Sequence, residues 1–177
     1  MQMQRNPNIS TTDVGEAPAT ETLMSELQLL QSSTAKKIAL VGSRHISLTH
    51  QQLIEMLAYA LGLSGNHIIT SGASGTNAAV IRGVLRAHPA NLTVILPQTI
   101  DQQPAETQEQ LATLPVVKVH PERRAMSLAQ ASQLCNQEIV DMCQQLICFL
   151  YHSSTTLRET LNYAQEQRKI VTMFYMD

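Results

Sequence analysis

An open α/β sheet with helices on both faces is the fold this chain predicts, on three observations. Apolar runs of four or five residues recur along it, suited to strands covered on both sides. Stretches of helical period separate those runs. Small-residue turns follow three of them and lead into helices: Gly42-Ser43-Arg44, Ser71-Gly72-Ala73-Ser74-Gly75-Thr76 and Ser153-Ser154-Thr155-Thr156.

Residues 1–19, rich in Gln, Asn, Thr and Pro, predict a disordered tail. Residues 20–35 predict a short helix over 20–33 and a linker. Leu23, Leu27 and Leu30 give that helix one apolar face, to cover the parent domain or a second subunit. Residues 36–177 predict the folded domain. Ile38–Val41 is the first strand. Thr49–Leu63 is a helix with Leu53, Ile54, Leu57 and Leu61 on one stripe. A Thr49–Gln52 capping box starts it, and Gly62 and Gly65 end it. His67–Ser71 is the second strand and Thr76–Ala87 the second helix, stopped by Pro89. Leu92–Leu96 is the third strand, and Gln98–Gln103 a loop. Glu106–Thr113 is a short helix and Val116–Val119 the fourth strand. Met126–Met142 is a long helix with Leu128, Ala131, Leu134, Ile139 and Met142 inward. Leu146–Leu150, Thr155–Gln167 and Ile170–Phe174 supply the fifth strand, another helix and the sixth strand.

Alternation at this spacing implies right-handed βαβ units. The expected architecture is therefore a Rossmann-like, doubly wound, mostly parallel six-stranded sheet. Ligands of such sheets sit beyond the carboxyl ends of the strands, at the switch point. All three small-residue turns fall at that edge.

Composition narrows the function. With 177 residues and 44% apolar content, the chain can bury one sizeable core. A net charge of −2 and a pI near 6.3 exclude a global basic field for recruiting nucleic acid. Aromatics at 3%, without Trp, leave little for a base-stacking platform. Cys135, Cys143 and Cys148 lack zinc-site spacing and predict reduced core thiols. Their odd number, with no secretory signal and no membrane-length apolar run, predicts a cytoplasmic protein and no membrane partner.

Bare N–H groups at a helix N-terminus attract phosphate. The turn Ser71–Thr76, with Gly72 and Gly75 for the bend and the amides of residues 74–77 expected free, is either a phosphate cradle or a plain capped βα turn. Ser153–Thr156 offers a second helix start, and Arg44 is placed as counter-charge. One helix end contributes ~0.3–2 kcal/mol towards an anion, whereas micromolar affinity needs about 8 kcal/mol. Lys118, His120, Arg123 and Arg124 form a candidate basic patch after the fourth strand, or a solvated charge run. His45, His152, Asp101, Glu122 and Glu159 are the polar groups within reach of that edge, with no nucleophile–base or metal-ligand spacing among them. No catalytic residue is assigned, and no cofactor beyond a nucleotide-type ligand.

Lys37–Arg44 (KIALVGSR), Ile68–Leu85 (IITSGASGTNAAVIRGVL) and Leu92–Pro97 resemble the Rossmann-like domain of the DNA-processing protein A (DprA/Smf) family, within the Smf/DprA–Lonely Guy superfamily. That family runs V-G-T-R, S-G-x-A-x-G-I-D-x-x-A-H, T-I-A-V-L, R-N-R-I-I-A and S-G-T-L in order. Asn136 falls on the Asn of R-N-R, and Ser154-Thr155-Thr156-Leu157 on S-G-T-L. Asn77 stands at the family Asp, Ile81 at the His, Cys135 and Gln137 at the two arginines, and Thr155 at the Gly. The resemblance spans about residues 36–175. It implies single-stranded DNA binding, a homodimer or higher homo-oligomer, and recombinase loading as a protein partnership. It adds Asn136 to the expected site of Gly42, Ser43, Arg44, Ser71, Gly72, Ser74, Gly75, Thr76, Ser153, Ser154, Thr155 and Thr156.

Two alternatives stand beside that recombination-mediator reading. One is a ligand-sensing or interaction module that keeps the pocket and lacks the DNA surface. The other is a nucleoside-phosphate hydrolase of the Lonely Guy type, whose P-G-G-x-G-T-x-E-E loop is similar here only at Thr156 and Glu159.

Overall fold

Residues 36–72 and 74–177 are described by the computed structural model. The expected tail (1–19) and helix (20–33) lie outside the described residues, as does Ala73. The described chain runs β1 (Lys37–Gly42), α1 (Leu48–Leu63), β2 (His67–Ser71), α2 (Thr76–Ala87), β3 (Leu92–Ile95), α3 (Ala105–Leu111), β4 (Val117–Lys118), α4 (Leu128–Met142), β5 (Gln145–Leu150), α5 (Thr155–Glu166) and β6 (Ile170–Tyr175), with single 3-10 turns at Pro89–Asn91, Ile100–Gln102 and Pro121–Arg123.

All six strands are parallel, in the order β4-β3-β2-β1-β5-β6. The chain winds outward from β1 to β4, then crosses back to β5 on the other flank of β1. The β1–β5 boundary is thus the switch point of a doubly wound, Rossmann-like sheet. Ile38 pairs with Gln145 and Gly42 with Phe149 across it.

Alternate residues of each strand enter two separate cores. Ile38, Leu40, Ile68, Val94, Ile147 and Phe149 pack against α1 and α2 through Ile54, Ala58, Val80 and Val84. Ala39, Val41, Ile69, Ile95, Leu146, Cys148 and Leu150 pack on the other face against α4 and α5, through Ile139, Val140, Leu161 and Ala164. Helices therefore cover both faces, as the continuous apolar runs require.

Several local expectations are corrected. Ser47, rather than Thr49, caps α1, accepting from the His50 N–H at 3.2 Å. Gly62 lies buried inside α1; the turn residue beyond it is Gly65, with φ +81°. Leu53 is 58% exposed, because Ile54, Ala58 and Gly62 define the inner face instead. In α4 the inner face is Ala131, Cys135, Ile139 and Val140, while Leu128, Leu134 and Met142 are exposed. Small residues at four-residue spacing let that helix lie close on the sheet. β4 has only two ladder residues, since it pairs with β3 at Val117 and Lys118 alone.

All three thiols are buried and free, as expected. Burial pushes Cys135 up to about 11 and Cys148 up to about 12, and raises Cys143. Thiolates are the reactive form. At pH 8 the native protein should therefore leave all three thiols unmodified by Ellman's reagent, and denaturant should release three equivalents. Rapid native labelling of Cys148 would contradict the two-core arrangement.

Candidate functional site

The loops that leave β1, β2 and β5 are drawn together at the carboxyl edge of the sheet, and the backbone of Ser43 joins them. Its N–H donates to the Phe149 carbonyl of β5 at 2.9 Å. Its carbonyl accepts from both the N–H and the hydroxyl of Thr76, at 3.2 and 2.9 Å. Its hydroxyl lies 3.3 Å from that of Ser154, the N-cap of α5.

Two glycines permit this approach. A Cβ on Gly42 would stand 2.5 Å from the Phe149 carbonyl oxygen and 2.6 Å from Thr76 Oγ1. A Cβ on Gly75 would stand 2.0 Å from the Arg44 carbonyl oxygen, and its φ of +69° is one that side chains resist. Behind the β2 loop, the buried Asn77 amide donates to the Gly72 carbonyl at 3.1 Å. Its Oδ1 lies 3.4 Å from the Thr70 hydroxyl, which itself donates to Leu40 O at 2.7 Å.

In front of these loops lies an open cleft of about 1120 Å³. Of the residues expected at the site, it brings together Gly42, Ser43, Arg44, Ser71, Gly72, Ser74, Asn136, Ser154, Thr155 and Thr156. Gly75, Thr76 and Ser153 do not line it. Thr76 is fully buried because Ser43 takes both of its donors, so the amides of residues 74–77 are not all free. Asn136 donates its amide to Thr160 at 3.0 Å, and Thr160 in turn donates to Thr156 O at 2.9 Å, so α4 braces the first turn of α5.

The cleft also takes residues that sequence reading passed over as site groups: Asn77, Gln102, Gln103, Leu128, Ser132 and Tyr151. Gln102 and Gln103 sit in the polar loop after β3, which a parallel sheet also delivers to this edge. Leu128 was expected in the core; its exposure follows from its place at the cleft.

Charge is distributed unevenly. Among the described residues no carboxylate lines the cleft, and Arg44 is its one permanent cation. Arg44 is exposed and makes no ion pair among the described residues. The candidate basic patch behaves differently. Lys118 pairs with Glu138, Arg123 with Glu138 at 3.3 Å, and Arg124 with Asp101 at 2.6 Å. His120 is set between Glu122 (2.6 Å) and Glu138 (2.8 Å). Gln98 fixes the loop by donating to the carbonyls of Arg123 and Met126 at 3.0 Å. Every cation of the patch thus has a carboxylate partner, and none lines the cleft. The remaining polar candidates are likewise apart: His152 is paired with Asp177 at 2.8 Å and Glu159 is exposed on α5, while His45 alone reaches the cleft.

Burial pushes the Glu138 carboxyl up, but Lys118, His120 and Arg123 outweigh it and hold the group below its ordinary 4.5. Such a lowered group stabilises the fold fully above 4.5 and ceases to do so as pH falls through its folded value. Glu138→Gln should lower unfolding stability at pH 7 by about 1–3 kcal/mol, since the partly buried Arg123 loses its charged partner. The gap from wild type should shrink as pH drops below 4.5. Urea titrations at pH 7 and at pH 3.5 check this; a gap that does not change with pH would contradict it.

Fold and cleft together define a Rossmann-like domain with a crevice at its switch point that no carboxylate lines among the described residues. The model of the DNA recombination-mediator protein A family matches residues 13–173, and the chain belongs to that family. Among solved structures, it is similar to DNA processing protein A from Helicobacter pylori, studied for its single-stranded DNA binding mode (19% identity, TM-score 0.67, covering 82% of this chain and 67% of that one). It is also similar to DNA processing protein A from Streptococcus pneumoniae (21%, 0.61), of which it spans 52%. A molybdenum cofactor carrier protein from Chlamydomonas reinhardtii shares the fold at 13% identity and TM-score 0.55, covering 78% of this chain and 76% of that one. No curated sequence matches it significantly.

Proposed function

We propose that this chain binds single-stranded DNA through the cleft, as a recombination-mediator-type protein that does no chemistry on the strand. The observation that carries the reading is the charge pattern of the cleft: among the described residues it has one arginine without an ion-pair partner and no acidic side chain, with the opening turn of α5 (Ser154, Thr155 and Thr156) on its wall. A phosphate placed there meets Arg44, hydroxyls and the positive end of a helix, and no repelling carboxylate. The H. pylori relative, described for its binding of single-stranded DNA, supports the choice of ligand.

Catalysis has little support from the geometry. General acid–base work on a glycosidic bond needs a carboxylate at the reacting centre. Glu159, the group a Lonely Guy-like reaction would require, is outside the cleft. Three buried, protonated thiols suit a reducing compartment, which supports a cytoplasmic setting.

A second reading has one observation in its favour. The pairing of Lys118, Arg123 and Arg124 removes the positive track along which a long strand would run. A nucleotide-sized ligand contacting Arg44 alone fits that balance. The two readings separate on salt, because a strand releases counterions in proportion to the phosphates neutralised.

Fluorescence anisotropy of labelled oligo-dT at low and at physiological salt tests the proposal. Binding should weaken as salt rises. Arg44→Ala should weaken it about 10- to 100-fold, the equivalent of one charge-assisted hydrogen bond of ~1.5–3 kcal/mol. Arg124→Ala, away from the cleft and paired with Asp101, should change it little. Absence of oligo-dT binding at low salt, with a thymidine mononucleotide still bound, would sink the strand reading in favour of the second.

A further inference from the structure

Three side-chain amides are buried among the described residues: Asn77, Gln98 and Gln103. Two of them are satisfied. Asn77 donates to the Gly72 carbonyl at 3.1 Å, and Gln98 donates to the carbonyls of Arg123 and Met126 at 3.0 Å. Gln103 differs. Only 9% of it is exposed, and its carboxamide makes no hydrogen bond among the described residues. Its main chain is fixed: the N–H donates to Ile100 O at 3.0 Å, and the carbonyl accepts from the Gln108 amide at 2.8 Å. The side chain lines the cleft and lies over Gly72, where a Cβ would stand 3.3 Å from Gln103 Oε1. Folded proteins seldom leave so deeply set an amide without a partner.

The chemistry of the group limits what completes it. A carboxamide presents an acceptor beside a donor, whichever way it is turned. Its complement is a planar edge with a donor beside an acceptor, and every nucleobase carries one. A phosphate only accepts, so it would use half of the amide. The wall that Gln103 belongs to is suited to a base as well. The cleft residues supplied by the loop after β3 and by the first turn of α4, among them Pro97, Pro104 and Leu128, are uncharged. The cation of the cleft stands across from them, since Arg44 follows β1. With β2 between β1 and β3, the two loops start two strand spacings apart, or ~10 Å. A nucleotide with its phosphate at Arg44 can reach across that gap with its base.

We infer that Gln103 reads a nucleobase, its carboxamide taking both hydrogen-bonding positions of one base edge while Arg44 holds the phosphate of the same nucleotide. For thymine, N3–H donates to the amide oxygen and a ring carbonyl accepts from the amide N–H. The subsite rests on the strand reading above and adds to it a distinction: the cleft prefers a strand that bears bases to a bare sugar-phosphate chain of equal charge.

Fluorescence anisotropy of the full chain with three labelled strands of equal length tests this: oligo-dT, oligo-dT methylated at N3 of every base, and an abasic strand. Methylation at N3 removes the donor of the base edge and keeps the ring and the phosphates. Wild type should bind oligo-dT about 10- to 100-fold more tightly than either modified strand, the range of one bidentate base contact. Gln103→Leu, which keeps the bulk and removes the amide, should lose the discrimination between oligo-dT and its methylated form; thermal unfolding checks that the variant is folded. The wild-type comparison stands without the variant. Equal wild-type affinity for oligo-dT and the methylated strand overturns the subsite and leaves the strand reading intact. So does a folded Gln103→Leu that still discriminates as wild type does, because the base edge would then be read elsewhere. Absence of binding of all three strands at low salt overturns the strand reading, and the subsite with it.

Discussion

Ser43 uses every hydrogen-bonding group it possesses to hold three loops in one place. Its N–H reaches β5, its carbonyl takes two donors from Thr76 at the start of α2, and its hydroxyl meets the cap of α5. The switch point of a doubly wound sheet is where two flanking loops diverge and leave a crevice. Here that crevice has a wall of fixed shape, because a short residue just past the end of β1 ties the loops on either side. Gly42 and Gly75 are needed for the same reason. Each stands where a Cβ would collide with the carbonyl or hydroxyl groups that make the tie. Arg44 inherits its position from this arrangement, one residue beyond Ser43 and with its own carbonyl packed over Gly75.

The electrostatics follow from which residues the fold buries together. Glu138 on α4 gathers Lys118, His120 and Arg123 into one partly buried cluster, and Asp101 holds Arg124. These contacts anchor the loop after β4 and cancel its charge. Among the described residues, Arg44 and the opening turn of α5 are then the positive groups left at the cleft. On the proposed reading, a near-neutral chain presents a locally anion-attracting site without a basic surface.

Much of the fold was legible in the sequence because parallel strands buried on both faces leave continuous apolar runs that few other elements imitate. The strands at Ile38, His67, Leu92 and Leu146 were found within a residue or two for that reason. β4, expected over Val116–Val119, was found to within a residue at each end as well, although it makes only two ladder pairs at the sheet edge. α1 was misread at Leu53 because a helix apolar on opposite sides gives a periodicity that does not tell inside from outside. α4 was misread because its inner face is built from Ala131 and Cys135, smaller than the leucines on its outer side. Glycine and serine turns announced the cleft loops. The neutralised patch was not legible: Asp101 precedes Arg124 by 23 residues and Glu138 follows Lys118 by 20, and only the fold brings them together. The same holds for Thr76, whose withdrawal depends on a carbonyl 33 residues earlier.

The central claim is that an anionic strand is held at the loops Ser43 ties together. Titrating isotope-labelled protein with oligo-dT while recording backbone amide shifts tests it most directly. The largest changes should fall at Gly42–Arg44 and Ser154–Leu157, with a smaller response at Ser74, and little change at Lys118, Arg123 or Arg124. Perturbations concentrated on the loop after β4, with the Ser43 and Thr155 amides unmoved, would show that the cleft is not where the strand binds.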